Sequence, residues 1–256
     1  MYKSYNLFLP ISKRNIKIDI CIPRFNKHIK FDTLYMLDGQ NAFKDKYATF
    51  GRSLRAGKTF KRIKKQLNKN ILGVAIYNGE PVVNRINEYS PFIIDNIENG
   101  EWEENDITIC QSFCEDFINT IIPFIENNFN VNKSPNNRFI YGSSLAAVTV
   151  LYLGFKYNMF NYIGAFSTAS FLYKNSFMDF LDNSNKIDKN VFLYVGENEA
   201  SDNICDAKMY LDTSINLYNY FKSNKINTIL ITDKDSIHNE AYWDKYLLEF
   251  ISFIYK

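Results

Sequence analysis

Apolar and polar residues alternate in two short N-terminal runs, Tyr5–Leu9 and Ile16–Ile22, with a turn around Pro10–Asn15 between them. Alternation with period two on either side of a turn predicts a pair of antiparallel strands. Phe31–Leu37 follows a different rule. Its apolar residues run almost unbroken, the pattern of a central strand covered on both faces, and it ends in the polar turn Asp38-Gly39-Gln40-Asn41. Arg55–Leu67 predicts a helix with a basic face, and Ile71–Tyr77 a second buried strand. Gln111–Asn128 places Phe113, Phe117, Ile121, Phe124 and Ile125 near helical spacing, so these aromatics are expected in the core.

The second half repeats a strand-then-helix rhythm. Asn137–Tyr141 predicts a strand, and Leu145–Tyr157 a helix so apolar that it must be buried. Tyr162–Phe166 is a strand, and Ser167–Asp188 a variable stretch with a short helix. Val191–Val195 is a strand ending at Gly196, Ala207–Lys222 a helix, Ile226–Ile231 a strand and Glu240–Ile254 a closing helix. Strands alternating with helices from Phe31 onward imply an α/β class: a mostly parallel central sheet with helices on both faces. Asn78–Asn105 shows no periodicity and holds Pro81, Pro91 and Trp102. A long structureless segment inside a folded domain marks function or disorder.

No linker-like stretch or composition break divides the 256 residues, so a single domain over residues 1–256 is expected. The formal net charge of +2, with acids near most of the lysines and arginines, argues against a nucleic-acid partner. The N-terminus lacks an apolar signal core, and no apolar run is long enough to span a membrane, so the expected location is cytoplasmic. Four cysteines (Cys21, Cys110, Cys114, Cys205) form no disulfide framework for a chain this size. Cys110 and Cys114 lie one helical turn apart, but with only two histidines far from them in sequence they read as buried thiols. No metal or other cofactor is implied, and no glycine-rich nucleotide turn follows the first strands.

The chemistry concentrates at Gly142-Ser143-Ser144-Leu145-Ala146, between a predicted strand and a predicted helix. This is the context of a G-x-S-x-G nucleophile elbow, with alanine in place of the last glycine, and it singles out Ser144. A neutral serine attacks only if a base takes its proton and a third group orients the base. Of the two histidines, His28 sits in a basic loop and suits the surface. His238 follows the last strand, at the carboxyl edge of a parallel sheet, where Ser144 also falls. The usual chain order for this motif is serine, acid, histidine. Glu197, Glu199 and Asp202 compete just past the Val191–Val195 strand; Glu199 is preferred because it is placed to reach back toward His238. An oxyanion requires two N–H donors: one from Leu145, after the nucleophile, and one from the turn at Gly39 or Gln40, with Gln40 preferred.

Tyr35-Met-Leu-Asp-Gly-Gln-Asn41 resembles the L-x-D-G-Q-N turn of the putative esterase family of α/β hydrolases. That family includes enterochelin esterase-like enzymes and has esterase D and the feruloyl esterases as relatives. Phe50-Gly-Arg-Ser53, Arg85-Ile-Asn-Glu-Tyr-Ser-Pro91, Gly142-Ser-Ser-Leu145, Tyr194-Val-Gly-Glu197 and His238-Asn-Glu-Ala-Tyr-Trp243 resemble further family blocks, in family order and over nearly the whole chain. The resemblance implies an α/β-hydrolase fold without a large cap domain, Ser144 as nucleophile, His238 as base and an acid after Gly196. It departs from the family at Ala146 and Ala147, where two glycines are usual, and at Leu54, where an aromatic is usual. The added methyls are expected to narrow the site or shift the helix.

The expected activity is therefore hydrolysis of a small-molecule carboxylic ester through an acyl-enzyme. By resemblance the substrate is a siderophore ester, or an acylated sugar or aryl ester. A hydrolase fold that only binds, and acyl transfer to an acceptor other than water, are the alternatives. Gly39, Arg85 and Tyr89 are candidate substrate contacts. Arg85 and Glu88 are read either as a carboxylate anchor or as a loop-ordering pair, and Tyr77, Trp102 and Tyr242 as possible walls of an aromatic cleft. Trp243 is expected to pack the last helix on the sheet.

Overall fold

The alternating N-terminal runs form β1 (Tyr2–Leu9) and β2 (Arg14–Cys21), which pair antiparallel with Tyr2 opposite Cys21. The computed structural model describes residues 1–23, 29–79, 82–94, 106–173, 175–199 and 207–256. The remaining strands are β3 (Asp32–Met36), β4 (Ile71–Ile76), β5 (Arg138–Ser143), β6 (Tyr162–Phe166), β7 (Asn190–Gly196) and β8 (Asn227–Asp233). They complete one eight-stranded sheet in the order β1-β2-β4-β3-β5-β6-β7-β8. From β4 to β8 every pairing is parallel. The carboxyl ends of β3, β5, β7 and β8 thus open onto one edge.

The side-chain alternation of each strand feeds two cores, one on each face of the sheet. Tyr35, Ile140, Val191 and Leu193 join the core beneath α5 (Leu145–Lys156) and α7 (Ala207–Ser223). Leu34, Met36, Phe139, Tyr141, Phe192 and Tyr194 join the core beneath α1 (Ala56–Leu67) and α8 (Glu240–Ile254). Helix α5 is buried from Leu145 to Phe155, as its unbroken apolar composition requires.

Two elements depart from expectation. The segment read as structureless contains α2 (Val82–Tyr89), only eight residues and too short for its periodicity to stand out. Pro81 and Trp102, within the same segment, lie outside the described residues. The helix expected over Gln111–Asn128 begins earlier, as α3 (Asp106–Asp116), passes through a π-helical turn (Phe117–Ile121) and resumes as α4 (Ile122–Asn128). Pro123 has no N–H to donate and its ring crowds the preceding turn, which accounts for the widening just ahead of it. A short α6 (Ser176–Asp182) lies in the variable stretch before β7. Among the described residues no helix is long and apolar enough to cross a membrane, and no cap domain stands over the sheet edge.

Candidate active site

Ser144 stands between β5 and α5 with φ 60° and ψ −126°, a conformation that L-residues rarely adopt. The surroundings hold it there. Its N–H donates to the Phe166 carbonyl at 2.8 Å, and its carbonyl accepts from the N–H groups of Ala147 (3.0 Å) and Ala169 (3.3 Å). A Cβ at Gly142 would lie 2.4 Å from the Ala146 carbonyl oxygen, so only glycine lets the strand turn this tightly into the helix. Ala146 and Ala147 have no exposed surface and belong to the core under α5. Their methyls therefore face the protein interior. The aromatic expected at Leu54 is replaced by a buried aliphatic in the opposite core.

Beyond the carboxyl ends of β7 and β8, Glu199 and His238 meet. Glu199 lies three residues past β7 and is 1% exposed. Its Oε2 meets His238 Nδ1 at 2.5 Å. Its Oε1 accepts from the Gly196 N–H at 2.7 Å and from Ser167 Oγ at 2.5 Å. Ser167 Oγ in turn accepts from Trp243 Nε1 at 2.9 Å. The His238 ring packs against Tyr210 and, edge to face, against Trp243, with centroids 4.8 and 4.9 Å away. Glu197 is partly exposed, and its N–H bonds to the Asp233 carbonyl. Asp202 and His28 lie outside the described residues, as does Cys205.

The turn after β3 is the third component. Asp38 enters it in the left-handed region at φ 53°, and Gly39–Asn41 form a single 3₁₀ turn. The turn's own bonds run from Asn41 N–H to the Asp38 carbonyl and from Ala42 N–H to the Gly39 carbonyl, using neither the Gly39 nor the Gln40 N–H. A Cβ on Gly39 would come within 2.6 Å of the Ala75 backbone, so the turn presses directly against β4. Leu145 is the first residue of α5, and the first N–H groups of a helix have no acceptor within it.

The expected substrate contacts on this side are engaged with the turn itself. Arg85 makes a two-pronged ion pair with Asp38, at 2.8 Å through Nε and 2.7 Å through a terminal nitrogen. Asn78 Nδ2 adds a bond of 2.7 Å to the same carboxylate. Tyr89 is fully buried, its hydroxyl accepting from the Asp38 N–H at 3.1 Å, while its carbonyl accepts from Thr149 of α5. Glu88 is ion-paired with Arg14 and accepts from the Gly79 N–H. Tyr77 donates to Asp19.

Sequence reasoning missed one carboxyl here. Glu240, at the start of α8 and 2% exposed, accepts from Asn41 Nδ2 at 2.5 Å. Among the described residues its Oε2 has no partner. Burial, reinforced by the negative charge of Asp38, pushes its pKa up to about 7. Ser167, Asn41 and Asn78 were likewise not anticipated. Asn41 and Glu240 stand inside the two sequence blocks quoted above, but nothing in either block says that they meet. No cluster of metal-ligating side chains occurs among the described residues, and Cys21, Cys110 and Cys114 are buried and unpaired by disulfides.

The family model for "putative esterase" matches residues 10–253. The uncharacterized protein YbbA of Bacillus subtilis is 24% identical over 177 residues, 67% of this chain and 70% of that protein. Among solved structures, the enterobactin esterase FES of Shigella flexneri superposes with a TM-score of 0.78 at 12% identity, covering 100% of this chain but only 58% of that enzyme. An IroE-like serine hydrolase of Shewanella oneidensis gives 0.76 at 14% identity, over 100% of this chain and 79% of its own. A ferulic acid esterase of Anaeromyces mucronatus gives 0.68 at 16%, over 99% and 89%. At such identities the structural likeness establishes the fold, that of the α/β hydrolases. With its family model spanning nearly the full length, the chain belongs to the putative esterase family and so to the carboxylic ester hydrolases.

Proposed function

We propose that the chain is a single-domain serine esterase in which Ser144 attacks the acyl carbon, His238 carries the proton and Glu199 orients His238. The observation that carries this reading is the 2.5 Å contact between His238 Nδ1 and Glu199 Oε2, on the sheet edge where Ser144 sits at its constrained elbow. With Nδ1 committed to Glu199, Nε2 is the nitrogen that accepts the Ser144 proton and passes it to the leaving alcohol. The N–H groups of Leu145 and Gln40 hold the oxyanion; they are preformed and cost no rearrangement as charge develops. Water, activated by the same imidazole, releases the acyl group.

Arg85 and Tyr89 act in this reading as braces for the oxyanion turn, through Asp38. The substrate is a small-molecule ester. A siderophore ester is the first candidate and an acylated sugar or aryl ester the second, by analogy with the enterobactin and ferulic acid esterases that share the fold.

The test is labelling with a fluorophosphonate, which reacts with an activated serine. The wild-type protein is expected to label and Ser144→Ala not to. On an aryl ester, Ser144→Ala and His238→Ala are each expected to lower kcat on the order of 10⁴–10⁶-fold. Failure of the wild type to label sinks the reading.

A further inference from the structure

We infer that Ser167 and Trp243 form a hydrogen-bonded relay that sets the basicity of the Glu199–His238 pair, making both of them positioning residues for catalysis. This rests on the triad reading above. Trp243 Nε1 donates to Ser167 Oγ (2.9 Å), which donates to Glu199 Oε1 (2.5 Å), while Oε2 faces His238 (2.5 Å). All three supporting side chains are buried: Ser167 fully, Glu199 and Trp243 to within 3%. An indole N–H has no acceptor function and a hydroxyl has one proton, so the direction of donation is fixed: Trp243 to Ser167 to Glu199.

Each donor polarises the next in a water-poor site. With donors on Oε1, the carboxylate draws less strongly on the proton that lies between Oε2 and His238 Nδ1. The backbone commits Ser167 to this place. It holds φ 48°, its N–H donates to the Tyr194 carbonyl at 2.6 Å, and it follows directly on Phe166, whose carbonyl receives the Ser144 N–H. Nucleophile and relay are thus carried by one backbone junction. Trp243 has a second contact, edge-on to the His238 ring, and so touches both ends of the acid–base pair.

Among the described residues, the titratable groups facing the pair are Tyr210 of α7, Tyr194 of β7 and Glu240 of α8. Burial holds the Tyr194 phenol above its ordinary range, and Glu240, pushed up to about 7, is the neighbour that titrates near neutrality. Its contribution must be separated from that of the relay.

The experiment measures the second-order rate of fluorophosphonate labelling against pH. Removing the hydroxyl in Ser167→Ala leaves Glu199 more basic, so the acid limb of the profile is expected to rise by about 1 pH unit, the scale of one hydrogen bond to a charged group. Trp243→Phe keeps most of the packing but loses the N–H, and is expected to shift the limb the same way by less. The double variant is expected to match Ser167→Ala, because the indole acts through the hydroxyl. The shifts are expected to persist in a Glu240→Gln background. If Ser167→Ala does not fold, Ser167→Gly removes the same hydroxyl and suits φ 48°. A wild-type protein that labels, combined with an unmoved acid limb or with additive shifts, overturns the relay alone. A wild-type protein that does not label overturns the triad reading and the relay with it.

Discussion

Two buried carboxyls near His238, Glu199 and Glu240, are built differently. Glu199 receives three donors, from Ser167, Gly196 and His238, one or more on each oxygen. Glu240 receives Asn41 on one oxygen, while the other has no partner among the described residues and the charge of Asp38 is nearby. A buried carboxyl needs hydrogen-bond donors, and the two sites supply them unequally. Glu240 is the group pushed up to about 7. The comparison teaches that depth alone does not decide a carboxyl's role. The proposed triad acid is surrounded by N–H and O–H groups on both oxygens, whereas Glu240 ties the start of α8 to the turn after β3 through one oxygen.

Between these two carboxyls, the larger effect is expected on the saturated side. Glu199→Gln should lower kcat on an aryl ester on the order of 10³–10⁴-fold, because the amide fixes the wrong imidazole tautomer. Glu197→Gln and Asp202→Asn should stay within about twofold, and a large loss in Asp202→Asn would move the acid assignment. On the other side, Arg85→Met leaves the nearly buried Asp38 with Asn78 but without its cation. A loss of about 3–4 kcal/mol in chemical denaturation is expected.

Glu240→Gln should shift the pH dependence of stability. Because the folded pKa lies above the unfolded one, the folded wild type binds more protons between about 4.5 and about 7, and it loses stability as pH rises through that window. Denaturation curves should therefore move in the variant's favour by about 3 kcal/mol across the window and stay level on either side of it. The smallest effect concerns the elbow. Ala147→Gly should cost about 1 kcal/mol through helix propensity and should leave the range of acyl chains accepted unchanged, since that methyl is in the core. A broadened acyl range would show that it does reach the site.

The parts of the molecule legible in sequence were those written into local pattern. The closing helix Glu240–Ile254 and the strand Tyr162–Phe166 have the bounds their periodicity predicts. The elbow motif put Ser144 between a strand and a helix and the pattern put His238 after the last strand, and both stand at those places in the fold. The short α2 was too brief to announce itself, and the π turn before Pro123 alters hydrogen bonding without altering the apolar stripe. The ties that hold the site are long-range: Arg85 to Asp38 over 47 positions, Trp243 to Ser167 over 76, and Asn41 to Glu240 over 199. Residue type sets what such groups can bond to, but only the sheet order sets which of them meet.

That sheet order also governs how the molecule is made. Helix α1 rests its apolar face on α8, which follows it only after five further strands of the sheet. During synthesis Phe60 and Ile63 lack that cover until Leu247, Phe250 and Ile251 have emerged. The same late segment brings His238 and Trp243. A chain stopped before His238 would leave that apolar face uncovered and would lack the proposed base, so the cover of the core and the proposed acid–base pair arrive together.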